Sequence, residues 1–441
     1  MDRAPGPSDH VTPYDRLTWS DEDVESLLVS GAQRPELEAF FGPQEYRALV
    51  RLAHAARGTP LAPGARRTII VPGIMGSQLG FARHAPLPLD ILWLDPLDII
   101  QGRLTALAVT GAVSPSPCGV LLYSYLRLKL HLRAAGLDPV FHQYDWRRGV
   151  DELGAALARR IAAEPAERLA LVGHSLGGLV SRAALALSGS EKVERLVLLG
   201  TPNLGSFAAV QALRGTADIV HKIARLDLRH TAEALASQVF RTFPSLYHLL
   251  PRKRQDRELD LLDPQCWPST EPRPDPELLR SARELDRKLA PADERCVAVV
   301  GCGLPTVTAA ARRRDEFVYT VTRHGDGTVP IASAELPGGR NYYASVLHSE
   351  LPRDRRVAGA IAELVRTGAA RRLPSRLRSS SRAEARIGDR ALSRRGPGKI
   401  DWARLSAAER RRYLQALSEP LAIALRIPAR AGRSAGRRGS R

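Results

Sequence analysis

One short segment of the sequence places a serine where it could act as a nucleophile. In ALVGHSLGG, the pattern Gly173-x-Ser175-x-Gly177 lies where an apolar run gives way to a helical pattern. Glycines have no Cβ, so they allow a tight strand-to-helix turn that leaves the hydroxyl exposed. An ordinary glycine-rich turn could carry the same letters. The strand-like run before it and the helical pattern after it favour a nucleophile.

A serine nucleophile needs a base to accept its proton and an acid to orient that base. After a buried parallel strand, the expected chain order is serine, acid, histidine. Asp326 in RHGDGTVP and His348 in YYASVLHSEL follow Ser175 in this order, each after a strand-like run. Two alternatives stay open. The Asp-Gly pair is also a turn signal, and His324 is a second candidate base.

Backbone N–H groups are expected to stabilise the oxyanion of a tetrahedral intermediate. Leu176, the residue after the proposed nucleophile, supplies one such donor. The loop in VPGIMGSQL follows an early strand and supplies the other, from Met75 or Ile74. Without the serine motif, this segment would be an ordinary turn between a strand and the next element.

An alternation of strands and helices must position these residues. Short continuous Val, Leu and Ile runs are typical of strands buried on both faces, so they predict a mostly parallel sheet flanked by helices. The predicted strands cover residues 68–73, 139–145, 168–175, 195–202, 296–303 and 316–322. The predicted helices between them cover residues 123–135, 150–163 and 176–188.

The remaining sequence divides the chain into three parts. We predict an N-terminal leader and packing helices over residues 1–66, a catalytic domain over 67–368, and a basic tail with a short helix over 369–441. Residues 207–294 interrupt the alternation with helical and Pro-rich sequence, which indicates an inserted helical lid. Residues 81–116 form a smaller candidate insertion of the same kind. Capping-box spacings at Ser20 and Ser406 each predict a helix start.

The net charge of +18 is concentrated in the tail. Residues 371–441 hold 20 Arg and Lys against 5 Asp and Glu. Three interpretations of this tail stay open: a solvated extension, peripheral contact with an anionic membrane, and nucleic-acid binding. The last is disfavoured because the tail has no interleaved aromatic residues and no recognised motif.

Composition also restricts the class of protein. No run of 18 apolar residues occurs, and the first twenty residues contain no apolar stretch of signal-peptide type. We therefore expect a cytoplasmic protein, membrane-associated if its tail binds lipid. The four cysteines have no zinc-site or disulfide-framework spacing, so they are expected to be reduced thiols, and neither metal nor cofactor is expected.

Taken in order, several motifs resemble the lecithin:cholesterol acyltransferase family of α/β-hydrolases, which includes lipase-like bacterial members. The matching segments are VPGIMGSQL, LWLDP, YDWRR, GHSLGG, GTPNLGS, FPSLYHLLP, GDGTVP and LHSEL, spread over about residues 68 to 350. The resemblance implies an α/β-hydrolase fold whose 207–294 lid is mobile. This sequence differs from the secreted animal members of the family, since we expect neither a signal peptide nor a disulfide-closed lid in it.

The resemblance also implies roles for individual residues. Ser175, Asp326 and His348 would be nucleophile, acid and base, and the amides of Met75 and Leu176 would form the oxyanion hole. Trp93, with Leu94 beside it, would lie at the acyl pocket, whereas Asp145 and Arg147 would be a buried structural pair.

The expected activity is that of a serine acyl hydrolase or O-acyltransferase acting on lipid esters, that is, a lipase, a phospholipase or a lipid acyltransferase. The alternative is an inert α/β-hydrolase scaffold that binds lipid or a protein partner.

Overall fold

The computed structural model describes residues 18–61, 65–82, 90–110, 114–252, 259–377, 383–394 and 398–419. Nearly all of the predicted leader, residues 1–18, lies outside the described residues. The same is true of residues 420–441 of the basic tail.

The described residues form twelve strands and seventeen α-helices. The strands are β1 Arg67–Val71, β2 Ser77–Phe81, β3 Asp90–Trp93, β4 Ser116–Val120, β5 Asp138–Phe141, β6 Leu169–His174, β7 Val193–Leu199, β8 Cys296–Gly301, β9 Thr306–Arg313, β10 Glu316–Thr322, β11 Arg340–Ala344 and β12 Glu384–Gly388. The helices are α1 Asp21–Ser30, α2 Arg34–Phe41, α3 Pro43–Gly58, α4 Pro96–Ile100, α5 Leu122–Ala134, α6 Val150–Ala163, α7 Leu176–Leu185, α8 Phe207–Leu213, α9 Asp218–Leu226, α10 Ala232–Gln238, α11 Pro244–His248, α12 Pro276–Ala282, α13 Leu285–Lys288, α14 Ile331–Ala334, α15 Arg355–Thr367, α16 Asp389–Ser393 and α17 Ala407–Gln415.

A six-stranded sheet in the order β11-β8-β7-β6-β1-β5 forms the centre of the fold, and all its pairs are parallel. The carboxyl ends of its strands therefore meet at one edge, where open α/β sheets carry their sites. The register pairs Val71 of β1 with Gly173 of β6. This pairing brings the loop after β1 beside the serine motif.

Alternate residues of these strands pack on opposite faces of the sheet, as the period of two requires. Leu171 belongs to one core cluster together with side chains of α6 and α7. Its neighbour Val172 belongs to another cluster together with side chains of α5 and α15. The prediction of a parallel sheet between two layers of helices is thus confirmed.

One predicted strand lies outside this sheet. Segment 316–322, β10, pairs antiparallel with β9 and β12 in a separate three-stranded sheet. Its burial alternates, with Phe317, Tyr319 and Val321 buried and the residues between them partly exposed. A strand covered on one face only belongs to an antiparallel sheet. The two edges of the central sheet are β11 and β5.

The N-terminal helices pack against α5 through a third cluster that includes Leu37, Leu49 and Leu126. The predicted capping box at Ser20 is present at the start of α1, and the one at Ser406 starts α17. Helices α2 and α3 are separate because Gly42, with a φ of 89°, ends α2 before Pro43 starts α3.

The described part of the tail packs on the domain. Strand β12 pairs with β10, and Asp389 accepts from buried Arg214 at 3.2 Å. A solvated extension therefore does not describe residues 383–394. Among the described residues, none of the helices has both the length and the apolar composition needed to cross a bilayer. All four cysteines are free thiols.

Candidate active site

Ser175 lies in a strained turn between β6 and α7. Its φ of 53° and ψ of −122° fall where residues with a Cβ rarely occur. The turn is tight enough to require glycine after it, since a Cβ on Gly177 would lie 2.2 Å from the carbonyl oxygen of Val71. A Cβ on Gly178 would lie 1.9 Å from Oγ1 of Thr201. The predicted strand-turn-helix geometry around Ser175 is therefore present.

Asp326 and His348 lie together although 22 residues separate them in the chain. Nδ1 of His348 lies 2.8 Å from Oδ2 of Asp326, which is fully buried. The other carboxylate oxygen accepts the N–H groups of Thr328 at 3.0 Å and Val329 at 2.7 Å. A carboxylate accepts hydrogen bonds, so Nδ1 of His348 carries the proton and Nε2 is left free to act as a base.

The position of Asp326 depends on the chain's return after the β9–β10 hairpin. Residues 302–325 leave the central sheet at the end of β8 and come back to it, where Asp326 bridges Leu304. His348 follows β11, the neighbour of β8. The alternative base, His324, is exposed and contacts Thr322 through Nδ1 at 3.2 Å, and it does not line the cavity that holds Ser175.

Ser175 and His348 line the same cavity, whose volume is about 210 Å³. No hydrogen bond joins Ser175 Oγ to His348. Catalytic hydrogen bonds of this kind are often longer without substrate. The wall of the cavity is largely apolar and includes Ile74, Trp93, Leu94, Leu246, Leu249 and Val329.

Trp93 and Leu94, predicted for the acyl pocket, thus both line the cavity. Trp93 packs edge-on against Trp146 with ring centroids 5.4 Å apart, and its indole N–H donates to the carbonyl of Met75 at 2.9 Å. These two contacts hold the indole against the loop after β1.

The predicted oxyanion donors occupy two adjoining turns. Met75 lines the cavity, and its backbone φ of 62° is unusual for a residue other than glycine. Leu176 is the first residue of α7, where the backbone N–H has no partner within the helix. Neither amide donates to another described residue. Ile74, the alternative donor, also lines the cavity. Of these two residues, Met75 has the positive φ.

Sequence reasoning missed a hydrogen-bonded chain that connects the three loops of the site. The N–H of Gly73 donates to the hydroxyl of Tyr125 at 2.8 Å, and that hydroxyl lies 2.8 Å from Nδ1 of His174. Nε2 of His174 lies 3.1 Å from the carbonyl oxygen of His348. A carbonyl only accepts, so Nε2 of His174 is protonated and Nδ1 accepts from the tyrosine.

Burial, with the neighbouring His348 acting in the same direction, holds the pKa of His174 well below its usual value, so its ring stays neutral. The position of His174 inside the serine motif was a signal for this chain, whereas nothing in the sequence around Tyr125 indicates its role.

Asp145 and Arg147 form the expected structural pair. Arg147 is fully buried and makes two contacts of 2.8 Å with the Asp145 carboxylate. It also donates to the carbonyls of Leu107 and Pro115, each at 2.9 Å. The pair therefore holds Leu107 and Pro115 close to the loop after β5.

Among the described residues, no group of three or more His, Cys, Asp or Glu side chains is placed to hold a metal ion.

A family profile described as a PGAP1-like alpha/beta domain matches residues 154–235, which include β6 and the turn at Ser175. No curated protein sequence matches the chain.

Three solved structures are similar at low sequence identity. Bacillus licheniformis lipase BlEst2 in its propeptide form is 15% identical over 74% of this chain and 54% of that chain, with a TM-score of 0.39. This chain thus spans about half the length of that relative. The mature form is 16% identical, over 70% of this chain and 96% of that one, with a TM-score of 0.37. A chain of the Tle4-Tli4 complex is 13% identical, over 70% and 99%, with a TM-score of 0.41.

The fold itself follows from the architecture described above. A parallel sheet between two helix layers, with a strained serine turn after the interior strand β6, identifies the chain as a protein with the α/β-hydrolase fold.

Proposed function

We propose that the chain is a serine-dependent enzyme that cleaves lipid esters through an acyl-enzyme intermediate. The observation that carries this proposal is the pairing of His348 with buried Asp326 at the cavity that also contains Ser175. The pair orients the imidazole, and the strained backbone turn at Ser175 places its hydroxyl at the cavity.

In the proposed mechanism, Nε2 of His348 accepts the proton of Ser175 as its Oγ attacks the ester carbonyl. Asp326 stabilises the imidazolium that forms, and the N–H groups of Met75 and Leu176 stabilise the oxyanion. The imidazolium then protonates the leaving alcohol. Water or a second alcohol attacks the acyl-enzyme, with His348 again as the base.

The apolar wall of the cavity supports a lipid acyl group as the part of the substrate that binds there. Attack by water would make the enzyme a lipase or phospholipase, and attack by a lipid hydroxyl would make it an acyltransferase of the kind that the sequence resemblance implies. Incubation with mixed phospholipids and a sterol or diacylglycerol, followed by mass analysis of the products, distinguishes free fatty acid from a transferred ester.

A fluorophosphonate probe tests the nucleophile. We expect it to label the wild type and Ser349→Ala but not Ser175→Ala. Ser349 is the matched control because it lines the same cavity and its hydroxyl has no hydrogen-bond partner. Absence of labelling in the wild type would refute the proposal and favour an inert scaffold that binds lipid or a protein partner.

We also propose peripheral contact with anionic lipid through the end of the tail. Residues 420–441 contain six arginines and no acidic side chain. Each basic residue near an anionic surface adds about 1 kcal/mol. Truncation after Glu419 removes these charges and leaves the packed elements in place. Undiminished binding of the truncated protein to phosphatidylserine vesicles at low salt would refute this contact.

A further inference from the structure

The C-terminal segment 398–419, which we call the strap, forms part of the wall of the catalytic cavity. Leu417 is buried, and it lines the cavity together with Ser418. On the neighbouring side, the cavity is bounded by Asp218 and Ile219 of α9. The strap and α9 therefore lie side by side around the space where an acyl group would bind.

Two lysines fasten the strap and α9 to each other in a reciprocal arrangement. Lys222 of α9 donates through Nζ to the carbonyls of Ala416 and Glu419, just beyond the end of α17. Lys399 of the strap donates through Nζ to three carbonyls at the end of α9 and just after it, those of Ala224, Asp227 and His230. Each ammonium donates to carbonyls at or just beyond a helix C-terminus, where the helix dipole favours a positive charge.

Further contacts keep this pair of elements together. The hydroxyl of Tyr413 donates to the carbonyl of Lys222 at 2.7 Å, and the guanidinium of Arg225 lies over the Tyr413 ring at 5.8 Å. The N–H of Ile400 donates to the carbonyl of Arg225 at 2.8 Å. Burial lowers the pKa of Lys222, so part of its hydration is lost and replaced by these contacts.

The cavity is small for a lipid. Its volume of about 210 Å³ lies below the roughly 300 Å³ at which pockets for ligands of drug size begin. A long acyl chain therefore fits entirely within the cavity only if a wall moves. The strap is attached to the domain largely through polar contacts to backbone carbonyls and through a few buried side chains, which makes it a wall element that can be released without breaking the central sheet.

We propose that the strap determines the acyl length that the site accepts: fastened to α9 by Lys222 and Lys399, it limits the cavity to short acyl groups, and its release admits long ones. This inference rests on the proposed ester-cleaving function.

The direct test changes the wall itself. We expect Leu417→Ala to raise the ratio of kcat/KM for p-nitrophenyl palmitate to that for the butyrate about tenfold, because methylene-sized differences in an apolar pocket change selectivity by about that much. Leu414→Ala is the matched control, since Leu414 is a buried leucine of the strap that does not line the cavity. An unchanged ratio in Leu417→Ala would overturn the proposal.

The second test loosens the fastening. We expect Lys222→Met and Lys399→Met to speed amide hydrogen exchange in residues 218–226 and to raise the same ratio. Lys192→Met is the control, because Lys192 donates in the same way to the carbonyls of Ala162 and Glu164 at the end of α6. Unchanged exchange in both Lys222→Met and Lys399→Met would overturn the proposal even if one of them folded poorly.

The two proposals fail in different ways. Labelling of Ser175 by the fluorophosphonate with an unchanged chain-length ratio would refute the role of the strap and leave the proposed function standing. No labelling of Ser175, together with faster exchange in Lys222→Met and Lys399→Met, would refute the proposed function and with it the assignment of acyl length. The fastening of the strap to α9 would still stand.

Discussion

The imidazole of His174 lies against that of His348, with ring centroids 4.9 Å apart, and its Nε2 donates to the His348 carbonyl at 3.1 Å. The residue before the proposed nucleophile thus supports the loop that carries the proposed base. Through Tyr125, the same ring is also connected to Gly73 in the loop of the proposed oxyanion donors.

Tyr125→Phe tests this connection. Without the hydroxyl, the N–H of Gly73 and Nδ1 of His174 both lose their partner, so the oxyanion loop is less firmly held. We expect kcat to fall roughly tenfold, about 1.4 kcal/mol, with KM unchanged. Tyr342→Phe is the control, because its hydroxyl accepts a single N–H from Ala370. If Tyr125→Phe lowered only the stability and left kcat unchanged, a positioning role would be excluded.

Asp326→Asn tests the orientation of the base. An amide NH₂ in place of Oδ2 cannot accept from His348, so the imidazole adopts the wrong tautomer, and we expect kcat to fall by about 10³- to 10⁴-fold. Asp263→Asn is the matched control, because Asp263 also accepts a backbone N–H two residues on, at 2.9 Å from Gln265, outside the cavity. A decrease of less than about tenfold, by steady-state kinetics on a short-chain ester, would contradict the assignment.

Arg147→Met tests the buried pair. The change leaves the carboxylate of Asp145 and the carbonyls of Leu107 and Pro115 without this partner. We expect the free energy of unfolding in urea to fall by about 3–5 kcal/mol. Arg34→Met breaks an exposed ion pair with Glu38 and should cost about 0.3–0.5 kcal/mol. Equal losses of unfolding free energy in the two variants would show that the buried pair stabilises the fold no more than an exposed ion pair does.

Asp98→Asn tests a pH-dependent contribution to stability. Burial, followed by the nearby Asp95 carboxylate, raises the pKa of Asp98 from 3.8 to about 6. The folded state thus binds this proton more tightly than the unfolded chain. The contribution of Asp98 is fully present below about pH 3.8 and is lost as the pH rises through about 6.

The asparagine at this position does not titrate. We therefore expect the stability of Asp98→Asn relative to the wild type to improve between pH 4 and pH 7, measured by urea unfolding at both values. A difference that is the same at both pH values would contradict the raised pKa.

Local chemistry made much of the architecture predictable. Continuous apolar runs predicted the strands β1, β6, β7 and β8, because a strand covered on both faces needs apolar residues at every position. The serine motif predicted the turn at Ser175, because only glycines permit the approach of Val71 to α7. The helix starts at Ser20 and Ser406 followed from capping, which involves residues only three apart.

Other features were not predictable because they depend on residues far apart in the chain. The pattern of β10 could not show which sheet it joins, since its partners β9 and β12 are chosen by packing. The composition of the tail indicates only a charged extension. In the structure, Lys399 of the tail donates to carbonyl groups about 170 residues earlier in the chain.

The sequence by itself determined where a serine, an acid and a histidine occur, in which order, and on which kind of element, because strand periodicity and turn sterics act over a few residues. Only the tertiary structure decided that Tyr125 and His174 connect the three loops and that the strap lines the cavity beside α9. Those contacts arise when distant segments fold to one edge of the sheet, and no local pattern records which segments will meet there.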